Sequence, residues 1–154
     1  MNLNRKDLKS ISEILSCIDS PEALRLYKKL QKELVPISVS SRKAKGRGLQ
    51  QTVAQSFSDG TGIPWGYNNE EIQPRLMGGS GTDVIITGRA RELIPFDVEC
   101  KNTESFSIKS VIQQAKANTE QGRYWLIVHK RKGEDPVAIV DFQIFLKLLF
   151  KTLE

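Results

Sequence analysis

The chain has 154 residues, of which 39% are hydrophobic and 27% charged, with two cysteines and one histidine. That length can bury roughly two thirds of its unfolded surface, which excludes a disulfide-built miniprotein, and Cys17, Cys100 and His129 form no paired spacing of the kind a Cys/His zinc site needs. The net charge of +5 suits a polyanionic partner without identifying one.

Met1 to Asp7 lead into an amphipathic pattern, not into the apolar core of a secretory signal. Leu8, Ile11, Ile14, Leu15 and Ile18 recur at helical spacing. Ser20-Pro21-Glu22 then supplies an N-cap, a proline at the first helical position and an acid in the first turn. Leu24, Tyr27, Leu30, Gln31 and Leu34 trace one side of a second helix, with Pro36 as its expected end. Residues 1–40 thus read as an α-helical hairpin, available for packing or for self-association.

Arg42, Lys43, Lys45 and Arg47 crowd into the next segment, which reads either as a solvated linker or as a phosphate-binding run. Leu49, Val53, Ala54 and Phe57 form a helical stripe closed by Asp59-Gly60-Thr61-Gly62. Ile63 to Met77 is irregular, and Gly78-Gly79-Ser80-Gly81 marks a bend where the backbone can approach another molecule closely. Asp83 to Thr87 and Ile94 to Lys101 read as strands. Ile108, Val111, Ile112 and Ala115 describe a helix, Tyr124 to Val128 and Val137 to Val140 two more strands, and Phe142, Phe145, Leu146 and Leu149 a last helix. The longest apolar runs, such as Ile144 to Phe150, are broken by lysine and fall far short of the roughly 18 residues of a membrane span.

The chemistry-bearing pattern lies in Phe96-Asp97-Val98-Glu99-Cys100-Lys101. Alternation sends Phe96, Val98 and Cys100 to one face of a strand and Asp97, Glu99 and Lys101 to the other. A half-buried antiparallel strand also alternates for packing reasons alone. Asp83, however, follows a glycine-rich turn, and the fifteen residues Val84 to Val98 that separate it from Glu99 allow a strand, a turn and a return strand. Two carboxylates brought together beside a backbone carbonyl suit Mg²⁺, a hard cation that keeps several waters. A lysine two residues after the second acid can orient a water there and offset charge on a phosphate.

Asp83 followed by Glu99-Cys100-Lys101 resembles the Asp...Glu-x-Lys signature of the PD-(D/E)XK nuclease superfamily. The resemblance extends through Ser41 to Arg47, Leu49-Gln50-Gln51, Met77 to Asp83, Pro95 to Asn102 and Gln114 to Asn118, which look like segments of small phage-encoded endonucleases related to archaeal-type Holliday junction resolvases. It covers roughly residues 41 to 140. It implies an α/β fold in which a restriction-endonuclease-like mixed central β-sheet is flanked by helices, with a nuclease domain over residues 41–154 and the N-terminal α-helical hairpin as an extension. It further implies a Mg²⁺ ion, for which Mn²⁺ can substitute, held by Asp83, Glu99 and the main-chain carbonyl of Cys100. Lys101 would act on the attacking water, and Gln114 would position the site or the substrate. Arg42, Lys43, Lys45 and Arg47, together with Gln51, are the expected DNA contacts. The resemblance implies branched or distorted DNA as the partner. Symmetric cutting of a four-way junction needs two active sites, so a second copy of the chain is also expected. The short apolar runs and amphipathic start point to no membrane and to the cytoplasm, or the host cytoplasm for a phage-encoded protein.

One departure stands out. Resolvases of this type carry a glutamate on the helix before the first strand, and Gln50 and Gln51 occupy that stretch, with Gln51 in the glutamate's place. An amide adds no charge for a second metal, and Glu70 or Glu71 is a candidate substitute. The missing acid also admits a different class of function, a nuclease-fold protein that binds DNA structures or a host factor without cleaving. His129, beside Lys130, Arg131 and Lys132, reads as a strand-end surface residue or a phosphate contact. Cys100 reads as a buried small hydrophobe. Asp97 shares the charged face and is expected to pair with a lysine at the sheet edge. Trp65 and Tyr67 suit either core packing or stacking on an unpaired base.

Overall fold

The computed structural model describes residues 4–34, 38–76 and 78–151. The chain divides into two compact units, Met1–Val39 and Ser40–Glu154. Pro36, expected to end the second helix, and Met77, at the head of the glycine turn, lie outside the described residues.

The first unit is a helical hairpin of α1 (Arg5–Ser16) and α2 (Pro21–Leu34). Asn4 and Asp7 cap α1 reciprocally: the Asn4 side chain accepts from the Asp7 amide at 3.0 Å, and the Asp7 carboxylate accepts from the Asn4 amide at 2.9 Å. Ser20 Oγ accepts from the Ala23 amide at 3.1 Å to start α2, with Pro21 at the first helical position. Small residues carry the packing, since Ser12 and Ala23 are buried and Gln31 Nε2 donates to Ser12 Oγ at 3.0 Å. Ile14, Ile18 and Leu24 remain exposed, so the apolar stripes are only partly consumed within the described hairpin.

The second unit is α/β. Its elements are α3 (Val39–Thr61), β1 (Ile72–Pro74), β2 (Val84–Ile86), α4 (Gly88–Leu93), β3 (Phe96–Asn102), α5 (Ile108–Asn118), β4 (Tyr124–Lys130), β5 (Val137–Val140) and α6 (Phe142–Lys151). The strands form one sheet in the order β1-β2-β3-β4-β5, antiparallel except for the parallel pair β3–β4. A parallel pair needs a crossover, and α5 supplies it. Leu49, Val53 and Ala54 of α3 pack on one sheet face against Ile72, Val84, Val98 and Val128; Val111 and Ala115 of α5 pack on the other against Ile127. Each fully buried side chain among these, such as Val98 or Ile127, stabilises the fold by about 1.5–3 kcal/mol.

Two elements have no local sequence signal. β1 is three residues long and ends in proline. The N-terminus of α4 is capped from a distance: Thr87 makes no side-chain cap, and Glu71 Oε2 accepts from the Ala90 amide at 2.7 Å. Gly88, at φ +51°, lies so close to the Glu71 carboxylate that a Cβ would come within 2.7 Å of it. The basic run is not a linker: Arg42, Lys43, Lys45 and Arg47 belong to the first turns of α3. Among the described residues no helix is long and apolar enough to cross a membrane.

Candidate functional site

β2 and β3 share a single paired register, Val84 with Val98, after which the Asp83 amide donates to the Val98 carbonyl at 2.8 Å and the strands part. The Asp83 side chain fills the opening. Its Oδ2 accepts from the Cys100 amide at 2.7 Å, in the place a ladder carbonyl would otherwise take. Within a strand, the N–H and C=O of one residue point to the same side. The Cys100 carbonyl therefore faces the edge where Asp83 sits.

Glu99 projects from the opposite face of β3 to Val98, towards α5, and is 3% exposed. Its Oε1 accepts from Lys101 Nζ at 2.6 Å and from Gln114 Nε2 at 2.7 Å. Gln114 Oε1 accepts from the same ammonium at 3.0 Å, so that Glu99, Lys101 and Gln114 form a closed triangle. Asn118, one turn along α5, spans the two halves of the site: its Nδ2 lies 3.4 Å from Glu99 Oε2 and 3.3 Å from the Gly81 carbonyl. This contact ties the glycine turn that precedes Asp83 to the second acid. In the sequence Asn118 stands at the end of the Gln114 to Asn118 segment, and its spacing of i+4 from Gln114 is the signal that places both on one helix face.

From the other side, α3 contributes Gln50 and not Gln51. Gln50 is 7% exposed, donates Nε2 to Asp83 Oδ1 at 2.7 Å, and buries its Oε1 with no hydrogen-bond partner. Gln51 instead donates to the Tyr67 hydroxyl at 2.9 Å. The orientation of the Gln50 amide follows from chemistry, since a carboxylate accepts only from the NH₂ end. Lys43, Arg47 and Gln50 follow at i, i+4 and i+7 along one face of α3, so the basic side chains climb away from Asp83, with Lys43 about 10 Å further along the axis. Asn102 at the end of β3 donates to the Lys45 carbonyl at 3.1 Å and fixes the helix to the strand there.

Several side chains have other places. His129 is not at the surface: it is 7% exposed, its Nε2 donates to the Thr103 carbonyl at 2.9 Å, and its ring meets Phe106 edge-on at 4.4 Å. The α5 side of β4 is covered by the Phe106 segment, which pattern reading could not place. Asp97 pairs not with a lysine but with Arg123, whose Nε reaches Oδ1 at 2.6 Å while both side chains are buried. Arg123 also donates to the Ile94 and Phe96 carbonyls, so this pair braces the start of β3. Glu71 is turned to α4 and does not replace the missing helix acid; Glu70 lends its carbonyl to Gln73 Nε2. Cys100 packs against the α3-side core, and burial, reinforced by the Asp83 and Glu99 charges, pushes its thiol pKa up, which leaves it a poor nucleophile.

The donor set suits a small hard cation: two carboxylates, a main-chain carbonyl facing the same edge, and one buried amide oxygen that still lacks a donor. Among the described residues no group of three or more acidic, histidine or cysteine side chains comes together to hold a metal, so any ion here completes its shell with carbonyl and water oxygens. No protein-family model matches the chain, and neither the curated proteins nor the solved structures gave a match.

Proposed function

We propose that the chain is a Mg²⁺-dependent endonuclease of restriction-endonuclease-like fold that hydrolyses phosphodiester bonds in branched or distorted DNA. The observation that carries this reading is that Asp83 sits on the Cys100 amide while the neighbouring Glu99 is held with Lys101 by Gln114 and tied through Asn118 to the glycine turn that precedes Asp83. Asp83, Glu99 and the Cys100 carbonyl would hold the ion, which when bound supplies Lewis-acid stabilisation of phosphate charge. Lys101 orients the attacking water and Gln114 holds Lys101 in place. Water oxygen bonds to phosphorus as the P–O3′ bond breaks; the products are a 5′-phosphate and a 3′-hydroxyl that takes up a proton. Arg42, Lys43, Lys45 and Arg47, all on the first turns of α3, contact phosphates and set the strand's direction past Asp83.

The second reading, a nuclease-fold protein that binds DNA structures or a host factor, is favoured by one observation: the helix residue that reaches Asp83 is an amide, not an acid. Four-way junction, flap, single-stranded and linear duplex DNA incubated with Mg²⁺, Mn²⁺ or EDTA separate the two. The nuclease reading expects cleavage with either metal, none in EDTA, and a loss of a hundredfold or more in Glu99→Gln. Binding without cleavage of any substrate establishes the second reading in its place.

A further inference from the structure

The irregular segment before β1 divides its two aromatic residues. Trp65 packs against the α3-side core and donates Nε1 to Gln55 Oε1 at 2.7 Å, whereas Tyr67 remains 43% exposed. The exposed ring is held at both ends: Gln51 Nε2 donates to its hydroxyl, and Trp65 meets it edge-on at 6.3 Å and 69°. Beside it opens a cleft of about 280 Å³ lined by Tyr67, Gln73, Arg75, Leu76 and Gly79. Its size lies just below the range of small-molecule sites, which run from about 300 to 1,000 Å³.

The polar groups of the cleft are fixed as well. Arg75 Nε donates to the Thr82 carbonyl, and the glycine turn closes over the arginine stem so tightly that a Cβ on Gly79 would meet Arg75 Cδ at 3.0 Å. One of the five guanidinium N–H donors is thereby spent, and the fork is directed by that bond. Gln73 gives its NH₂ to the Glu70 carbonyl at 2.5 Å, leaving Oε1 as its acceptor end. The cleft thus offers an aromatic face, a cationic donor and an amide acceptor.

Its position relates it to the metal site. Gln73 pairs with Ile85, and Val84 with Val98, so Gln73 and Ile85 project from the sheet face that carries Glu99, two strands or about 10 Å away. The Arg75 amide donates to the Asp83 carbonyl at 2.9 Å. Consecutive glutamines of α3 hold the two features, Gln50 on Asp83 and Gln51 on Tyr67.

We infer that this cleft receives one unpaired nucleobase of the strand being cut, stacked on Tyr67, with Arg75 donating to base acceptors and Gln73 Oε1 accepting from base N–H groups. The inference rests on the nuclease reading and deepens it: the cleft selects DNA in which a base next to the scissile phosphate is free to leave the stack. Stacking tolerates any base, so the preference is for unpaired structure over sequence.

The test uses the full chain in Ca²⁺, to measure binding apart from turnover, with single-stranded oligo-dT, an abasic strand of equal length and a linear duplex. The parent protein should bind oligo-dT about tenfold more tightly than the abasic strand. Tyr67→Ala should erase that difference while leaving duplex affinity unchanged, and Tyr67→Phe should retain it. 2-Aminopurine beside the cut site should be quenched by the parent and by Tyr67→Phe but not by Tyr67→Ala. A parent-like preference and quenching in Tyr67→Ala overturns the assignment of the cleft and leaves the nuclease reading standing. A parent protein that binds oligo-dT no more tightly than the abasic strand also overturns that assignment alone, whereas failure to bind or, with Mg²⁺, to cleave four-way junction and flap DNA overturns the nuclease reading, and the cleft's role with it.

Discussion

Gln50→Glu would place a carboxyl where the structure has a buried amide donating to Asp83. The perturbation has two parts. Asp83 loses a hydrogen bond of the charged kind, typically about 1.5–3 kcal/mol, and a third carboxyl enters the site at a buried position beside Asp83. Burial beside a carboxylate favours the neutral form, so the introduced group should titrate above the roughly 4.3 of an exposed glutamate. The folded state then binds more protons than the unfolded state across that interval, and stability falls as pH rises through it. Without metal we expect a loss of about 3 kcal/mol at pH 7.5 and a much smaller one at pH 5, where the protonated carboxyl can donate to Asp83 as the amide did. Mn²⁺ should reverse the order, since an extra anionic oxygen beside Asp83 tightens binding of a hard cation. Urea unfolding in EDTA at the two pH values, with calorimetric titration of Mn²⁺, reads both effects. Parent-like stability at pH 7.5 refutes the burial and contact of Gln50. Parent-like Mn²⁺ affinity refutes the placement of the cation beside it.

Lys101→Met removes the cation paired with buried Glu99, a change that costs about 3–5 kcal/mol for a fully buried pair. Because the Lys101 side chain is 24% exposed and Gln114 still donates, about 2 kcal/mol is expected in urea unfolding, with most of it recovered on adding Glu99→Gln. Maleimide labelling of the native protein at pH 8 should modify one thiol, mapped to exposed Cys17, while Cys100 reacts only after unfolding; two modified thiols in the folded protein contradict the burial described. Val137, Phe142, Phe145 and Phe150 are exposed on β5 and α6, and this apolar surface is where the expected second copy of the chain would be tested for. Light scattering at micromolar concentration should give a dimer, reduced to a monomer by Phe145→Glu; a monomeric parent chain refutes the expectation.

The site was legible where one residue's chemistry depends on its own strand. Alternation along β3 separates Glu99 and Lys101 from Cys100 whatever the tertiary fold, because the pleat alone fixes those directions. Asp83 was legible through the glycine turn before it. What sequence could not supply were contacts whose partners lie far along the chain. Glu71 is consumed by α4 through an amide 19 residues away, and Asp97 is held by an arginine 26 residues away. His129 sits in a run that ends in three cationic residues, but its burial comes from Phe106, which precedes the crossover helix. The basic segment misled for a different reason. Two glycines among four cations lower helix propensity and oppose the helix dipole, yet α3 runs through them, anchored by the buried Leu49, Val53 and Ala54 further along the same helix.

The choice between Gln50 and Gln51 turns on helix geometry and charge together. Adjacent helical residues point about 100° apart, so only one of the two can face Asp83. Gln50 does, and its half-buried neighbour Gln51 turns to Tyr67. With an acid at Gln50 the pocket would hold three carboxylates against the single cation of Lys101. With the amide it holds two, and the paired charges of Glu99 and Lys101 leave one net negative charge on Asp83. A site of that charge matches one divalent ion followed by the negative charge of a phosphate, whereas a second divalent ion would find no further anionic ligand among the side chains that converge there. On the nuclease reading, the glutamine therefore sets the metal stoichiometry. It does so at the cost of leaving Oε1 buried without a donor, a cost of about 1–3 kcal/mol that a single ordered water beside Asp83 would remove.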